Sequence, residues 1–133
     1  MDNLLNSVKV KHGLDFGFII FGIGALVLAI SAATLILYVA AALFIAFGGY
    51  IFFSAQKKIK SHQYIRLNYK TNPRECLKII EDDISSIKAA IAVDQRKADG
   101  GGRDSVDSAD DVVRKTGRLE KFIAIKTEIE KYL

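Results

Sequence analysis

Cysteine occurs once in this chain, at Cys76, and the two histidines, His12 and His62, share no motif. One cysteine rules out an intramolecular disulfide, so the soluble part suits a reducing compartment. Zinc or iron spacing is missing as well, and no metal or other cofactor is expected. Charge is the scarcest commodity of all between Lys11 and Lys57, where Asp15 is the only charged residue. Beyond Lys57 the composition is that of an ordinary soluble protein. From Ser61 onward the cations and anions nearly balance, so the net charge of +4 sits mainly beside the apolar block. Lys9 and Lys11 precede it, and Lys57, Lys58 and Lys60 follow. These five are read as membrane-flanking charges rather than as a nucleic-acid surface.

What is present is a long apolar run, Leu14 to Ser54. As one helix it would extend roughly 60 Å, about twice the hydrocarbon core of a bilayer. Two spans fit better, near Leu14–Ile30 and Leu35–Phe53, with the turn at Ser31-Ala32-Ala33-Thr34, the only mildly polar point. Basic flanks on both sides of a tiny uncharged loop place both termini in the cytoplasm. The expectation is therefore an integral membrane protein, of a bacterial inner membrane, with its termini inside. A cleaved signal peptide is the rival, since Ala29-Ile30-Ser31-Ala32 resembles a small-residue cleavage site; it leaves the second apolar segment unexplained.

Small residues recur through both spans. Gly13 and Gly17 make a GxxxG; Ala25, Ala29 and Ala33 repeat at four-residue spacing, as do Ala42 and Ala46, and Gly48 and Gly49 follow. Such spacing lets helix backbones approach closely. It serves either to pack the two spans together or also to pack several hairpins into a homo-oligomer. Asp15, near the cytoplasmic end, is read as reaching headgroup water or capping its helix; a part in an ion path is the weaker reading.

The expected fold is all-α: residues 1–13 a cytoplasmic segment, 14–55 a transmembrane helical hairpin, 56–71 a basic juxtamembrane linker, and 72–133 a small helical-hairpin domain. Within the linker, Ile65, Leu67 and Tyr69 alternate with Arg66, Asn68 and Lys70, so 64–70 reads as a short strand or as a continuation of the second helix. Its cations suit anionic lipid headgroups or an anionic ligand such as a phosphodiester. Asn72-Pro73-Arg74-Glu75 predicts a helix start, with Asn72 as N-cap, Pro73 first in the helix and Glu75 as capping-box acid. Leu77, Ile80, Ile84, Ile87 and Ile91 then follow the 3-4-3-4 spacing of a helical seam. A flexible loop is expected over 97–110, holding Gly100-Gly101-Gly102 and acids including Asp104. The glycines are no phosphate loop, because no Gly-Lys-Ser/Thr follows. Ser108 with Asp111 suggests a second capping box, and Val112, Leu119, Phe122, Ile125, Ile129 and Tyr132 give the last helix its apolar face, broadened by Ile123 and Leu133.

Catalysis finds little support. Cys76 lies in a helical first turn without a partner base and reads as a semi-buried helix residue. Glu81, Asp82 and Asp83 read as a solvated face. A non-enzyme is expected, in one of two classes: a membrane effector whose cytoplasmic domain senses a ligand, or an accessory subunit that anchors other subunits of a membrane complex.

In layout, two spans joined to a small cytoplasmic domain, the whole chain resembles the ancillary membrane effectors of antiviral type III CRISPR systems. That resemblance implies a cyclic oligoadenylate as ligand and membrane perturbation as output. It directs attention to Arg66, Asn68, Tyr69, Lys70, Asn72 and Arg74, where Arg and Lys would meet phosphates, Tyr69 would stack on a base, and the helix start would add backbone donors. The plainer reading of the same residues is a helix cap and a lipid-facing collar.

Overall fold

The computed structural model describes residues 1–10, 12–32, 35–102 and 105–133, and of Ala32 only the backbone. Among these residues the only regular secondary structure is helix, with α1 (Asp2–Ser7), α2 (Leu14–Ala32), α3 (Leu35–Asn68), α4 (Pro73–Asp99) and α5 (Ser105–Glu130). It divides into two compact units. One is Val10–Lys60. The other joins Met1–Lys9 to Ser61–Leu133, so the last eight residues of α3 belong to it.

The first unit is an antiparallel pair, α2 against α3. Buried positions on α2 are Asp15, Gly22 and Ala29; on α3 they are Ala41, Gly48 and Ala55. Each set repeats every seven residues. Seven residues make about two turns, so each set lines one face of its helix. The two faces meet almost backbone to backbone. A Cβ added at Gly22 would lie 2.7 Å from Ile45 Cγ1 and 3.2 Å from the Ala41 carbonyl oxygen. One added at Gly48 would lie 2.8 Å from Ile19 Cγ1 and 3.1 Å from the Asp15 carbonyl oxygen. Gly22 thus meets Ala41 and Ile45, while Gly48 meets Ile19 and Asp15, which fixes the antiparallel register. Phenylalanines flank the seam. Phe18 stacks on Phe44 and meets Phe47 edge-on, and Phe21 meets Phe44. The large aliphatic side chains point away: Leu14, Ile20, Val27, Leu28, Ile30, Leu35, Ile36 and Leu43 are all exposed, as is Phe53. Both helices are long and apolar enough to cross a membrane. The turn expected at 31–34 agrees with the end of α2 and the start of α3; Ala33 and Thr34 themselves lie outside the described residues.

The second unit is a helical hairpin with two further helices closing it. Helices α4 and α5 run antiparallel, as the pairs Lys126–Glu81 and Lys115–Asp94 show. Cys76, Ile80 and Ile84 from α4 meet Phe122, Ile125 and Ile129 from α5. Leu5 and Val8 from the α1 region and Ile65 from α3 complete this core. Each such side chain, fully buried, favours the folded state by about 1.5–3 kcal/mol. The seam on α4 reaches Asp94, which is buried and bonded to Lys115 of α5. A short-range charge pair therefore replaces apolar packing at that end.

Several expectations change. Residues 64–70 form no strand, because α3 continues to Asn68. Ile65 is fully buried and Tyr69 half-buried, one turn apart, while Leu67 between them is exposed. The helical period, not the alternation of two, thus decides which side chains turn inward. The loop expected over 97–110 shrinks to the short stretch between Asp99 and Ser105; Asp104, within it, lies outside the described residues. Gly101 has φ of 67°, a left-handed backbone that glycine adopts without a Cβ clash. Ser108 is a buried residue inside α5, which starts at Ser105, so it is no N-cap. Asn72 and Pro73 do open α4, but the Asn72 side chain makes no capping bond to the backbone. It donates instead to the Glu75 carboxylate at 2.7 Å and to the Tyr64 hydroxyl at 3.2 Å.

Candidate functional site

The six residues considered for ligand binding lie where α3 ends and α4 begins, and most are engaged inside their own unit. Arg66 Nε lies 3.0 Å from Asp2 Oδ1, and its Nη2 donates to Asn6 Oδ1 at 2.9 Å. It therefore ties α1 to α3. Asn68 donates from its side chain to the Tyr64 carbonyl at 3.0 Å, which satisfies an acceptor in the last turn of α3. Tyr69 meets Tyr132 edge-on at 5.4 Å between centroids, and the Lys70 ammonium sits over both rings at 5.6 and 5.7 Å. This cation–π arrangement joins the end of α3 to the C-terminal residues. Asn72 belongs to the small network with Tyr64 and Glu75. The Tyr64 hydroxyl donates to Glu75 Oε2 at 2.6 Å, and that bond, foremost, holds the phenol above its ordinary pKa. Arg74 is exposed on the first turn of α4. The structure thus gathers Arg66, Asn68, Tyr69, Lys70 and Asn72 at one helix junction and uses them to close it.

His62 contributes more than its position at the edge of the apolar block suggested. Its Nε2 lies 3.1 Å from Asp83 Oδ2, and its ring packs against Phe122. Asp83, expected on a solvated face, is half-buried by this contact. The signal was present in the spacing: Asp83 stands one residue before Ile84 of the α4 seam. Cys76 is wholly buried, and burial pushes its thiol up from the ordinary value. It is core, more deeply than a semi-buried helix residue.

In the first unit Asp15 serves the start of α2. Its Oδ1 accepts the Gly13 N–H at 2.8 Å, and its Oδ2 lies 2.5 Å from His12 Nδ1. Phe52 and Phe16 enclose the His12 ring. An open pocket of about 450 Å³ beside it is lined by Gly13, Leu14, Asp15, Tyr50, Ser54 and Lys58 among others. Of the small residues singled out in the sequence, Ala29 and Gly48 lie buried at the helix contact, and Gly49 is half-buried. Gly13 and Gly17 face open space, Ala42 and Ala46 are exposed, and Ala25 is half-buried. Gly22, Ala41 and Gly48 carry the close approach. Of the flanking lysines, Lys9, Lys57, Lys58 and Lys60 are exposed, and Lys11 lies outside the described residues.

Among the described residues, no three His, Cys, Asp or Glu side chains gather as a metal site. Comparison with known protein families, curated proteins and solved structures finds no match.

Proposed function

We propose that the chain is a non-catalytic membrane effector: a two-span hairpin, 14–55, whose helical unit lies in the cytoplasm and receives an anionic ligand. The observation that carries this reading is the division of faces in the hairpin. Glycine and alanine fill the contact between α2 and α3, and nearly every large aliphatic side chain points outward. In water that outward surface would be an aggregation liability, whereas in lipid it is the favoured solvent-facing side. The lysines at both ends support termini in the cytoplasm. The exposed small residues Gly17, Ala42 and Ala46 leave room for hairpin-to-hairpin packing.

One observation favours the accessory-subunit reading. Arg66, Tyr69 and Asn72, three of the six residues considered for a ligand, are occupied by contacts within the unit. The two readings separate in liposomes. The full chain is reconstituted around a self-quenched dye, and cyclic tetra-adenylate, cyclic hexa-adenylate or sodium tripolyphosphate is added. Dye release by any of them, lost on Gly48→Leu, supports the effector. Inserted protein that releases no dye with any of the three supports the anchor and removes the effector reading.

A further inference from the structure

The second unit holds a cationic cleft away from the α3–α4 junction. It opens between the end of α1 and the middle of α5, has a volume of about 440 Å³, and is lined by Ser7, Val8, Lys9, Val113, Arg114, Lys115, Gly117, Arg118 and Lys121. That size matches small-ligand pockets, which span about 300–1,000 Å³. Five of the nine lining residues are Lys or Arg, and none is acidic. Two of the five are neutralised from outside the lining: Arg114 by Asp111 at 2.8 Å, and Lys115 by Asp94. Lys9, Arg118 and Lys121 have no carboxylate partner among the described residues. Arg118 is steadied instead by its own helix, with the guanidinium 5.8 Å from the Phe122 ring centroid.

The placement is built by the fold. Arg114, Arg118 and Lys121 follow a four-and-three spacing on α5, which puts them on one face. Gly117 stands among them, and no atom lies within 4 Å of where its Cβ would be, so the floor of the cleft is open. Lys9 comes from more than a hundred residues away in sequence, brought alongside because Leu5 and Val8 are locked into the core. Like charges brought together in this way repel one another, and a bound anion relieves that repulsion.

We infer that this cleft binds a phosphate-bearing anion. Its recognising chemistry is the Arg118 fork with the Lys9 and Lys121 ammoniums, which can direct several charge-assisted hydrogen bonds at tetrahedral phosphate oxygens. The phosphate comes either from a soluble oligophosphate or from an anionic lipid headgroup. The inference rests on the reading of this unit as a binding module, and not on insertion of the hairpin.

The test uses the full chain in dodecyl maltoside micelles, where binding is read without a bilayer. Sodium tripolyphosphate is titrated at constant ionic strength by calorimetry. In parallel, dimyristoyl phosphatidylglycerol is added to the micelles, with dimyristoyl phosphatidylcholine as the neutral comparison. Three proteins are compared: wild type, the double variant K9Q/K121Q, and K78Q/K88Q, which removes the same charge from the exposed face of α4. Saturable binding of tripolyphosphate assigns a soluble ligand, and binding of phosphatidylglycerol alone assigns a headgroup. Either must weaken by at least about tenfold in K9Q/K121Q, the equivalent of one charge-assisted hydrogen bond, and stay unchanged in K78Q/K88Q. R118Q serves as the second variant should K9Q/K121Q melt differently from wild type. Absence of binding by both probes overturns the inference, and so does an equal loss in K78Q/K88Q, which would mark mere net charge.

Discussion

At the scale of single residues, the hairpin turns on two glycines. Gly22 and Gly48 sit where a side chain would strike the opposing backbone, whereas Gly17 faces open space. Gly48→Leu should therefore destabilise the hairpin by about 1–3 kcal/mol, the usual cost of overpacking a tight contact. Gly17→Ala should be neutral or slightly stabilising, because alanine favours a helix over glycine by up to about 1 kcal/mol. Melting of the full chain in micelles, followed by helical circular dichroism, compares the two; equal effects would contradict the register described. Cys76 gives a second reading at this scale. A thiol with no exposed surface, pushed up in pKa by burial, is both unreachable and protonated. A thiol reagent at neutral pH should modify it at least about a hundredfold more slowly in the folded chain than in urea, and rapid native labelling would displace Cys76 from the core.

At the scale of helices, α1 decides how much of the fold was legible beforehand. The amphipathic seams of α4 and α5 could be read from Ile80, Ile84, Phe122, Ile125 and Ile129, because a long repeated period survives any reasonable shift of the ends. Six residues of α1 carry no such period and would not hold a helix alone. Leu5 and Val8 matter only because α5 and α3 receive them. Leu5→Ala should lower the stability of the second unit by about 2–5 kcal/mol, as for other buried leucines; a change within the error of a denaturant melt would place α1 outside the core. The small-residue stripe was equally hard to read. Gly13 and Gly17 look as apt as Gly22 and Gly48 along one chain, and only the partner helix distinguishes them. The repeat of seven through Asp15, Gly22 and Ala29 was present, but so many alanines and glycines surround it that other spacings fit as well. The candidate ligand residues were visible as a basic, aromatic cluster. Their engagement was not, since Asp2, Asn6 and Tyr132 lie at the two ends of the sequence. The cationic cleft was not legible for the same reason, because Lys9 and Lys121 come together only through the tertiary fold. Between α4 and α5, the Asp94–Lys115 pair closes the far end of the seam. Asp94→Ala should cost more than the double change to apolar residues at both positions, because removal of one partner leaves the other charge half-buried. A double-mutant cycle reads the difference.

At the scale of the whole molecule, alkaline pH should loosen the second unit at two of its polar contacts. Tyr64 is held above its ordinary value of 10.0 chiefly by its bond to Glu75, and Lys126 above 10.5 chiefly by its bond to Glu81. A group whose folded pKa is raised supports the fold fully below its unfolded value and loses that support as pH climbs through the folded value. Stability attributable to these groups should thus be level up to about pH 10 and fall above it. Tyr64→Phe should remove the tyrosine share of that fall, and an identical alkaline profile in the variant would assign the loss to other groups.

The central claim concerns where the two apolar helices reside. Expressed in bacteria, the full chain should remain in the membrane pellet through alkaline carbonate washing. In the same cells, single cysteines introduced at Asn3 and at Lys131, on a Cys76→Ala background, should both resist a membrane-impermeant maleimide until the cells are opened, and then both label. Release of the chain by carbonate, or labelling of one terminus and not the other in intact cells, would contradict a two-span hairpin with both ends in the cytoplasm.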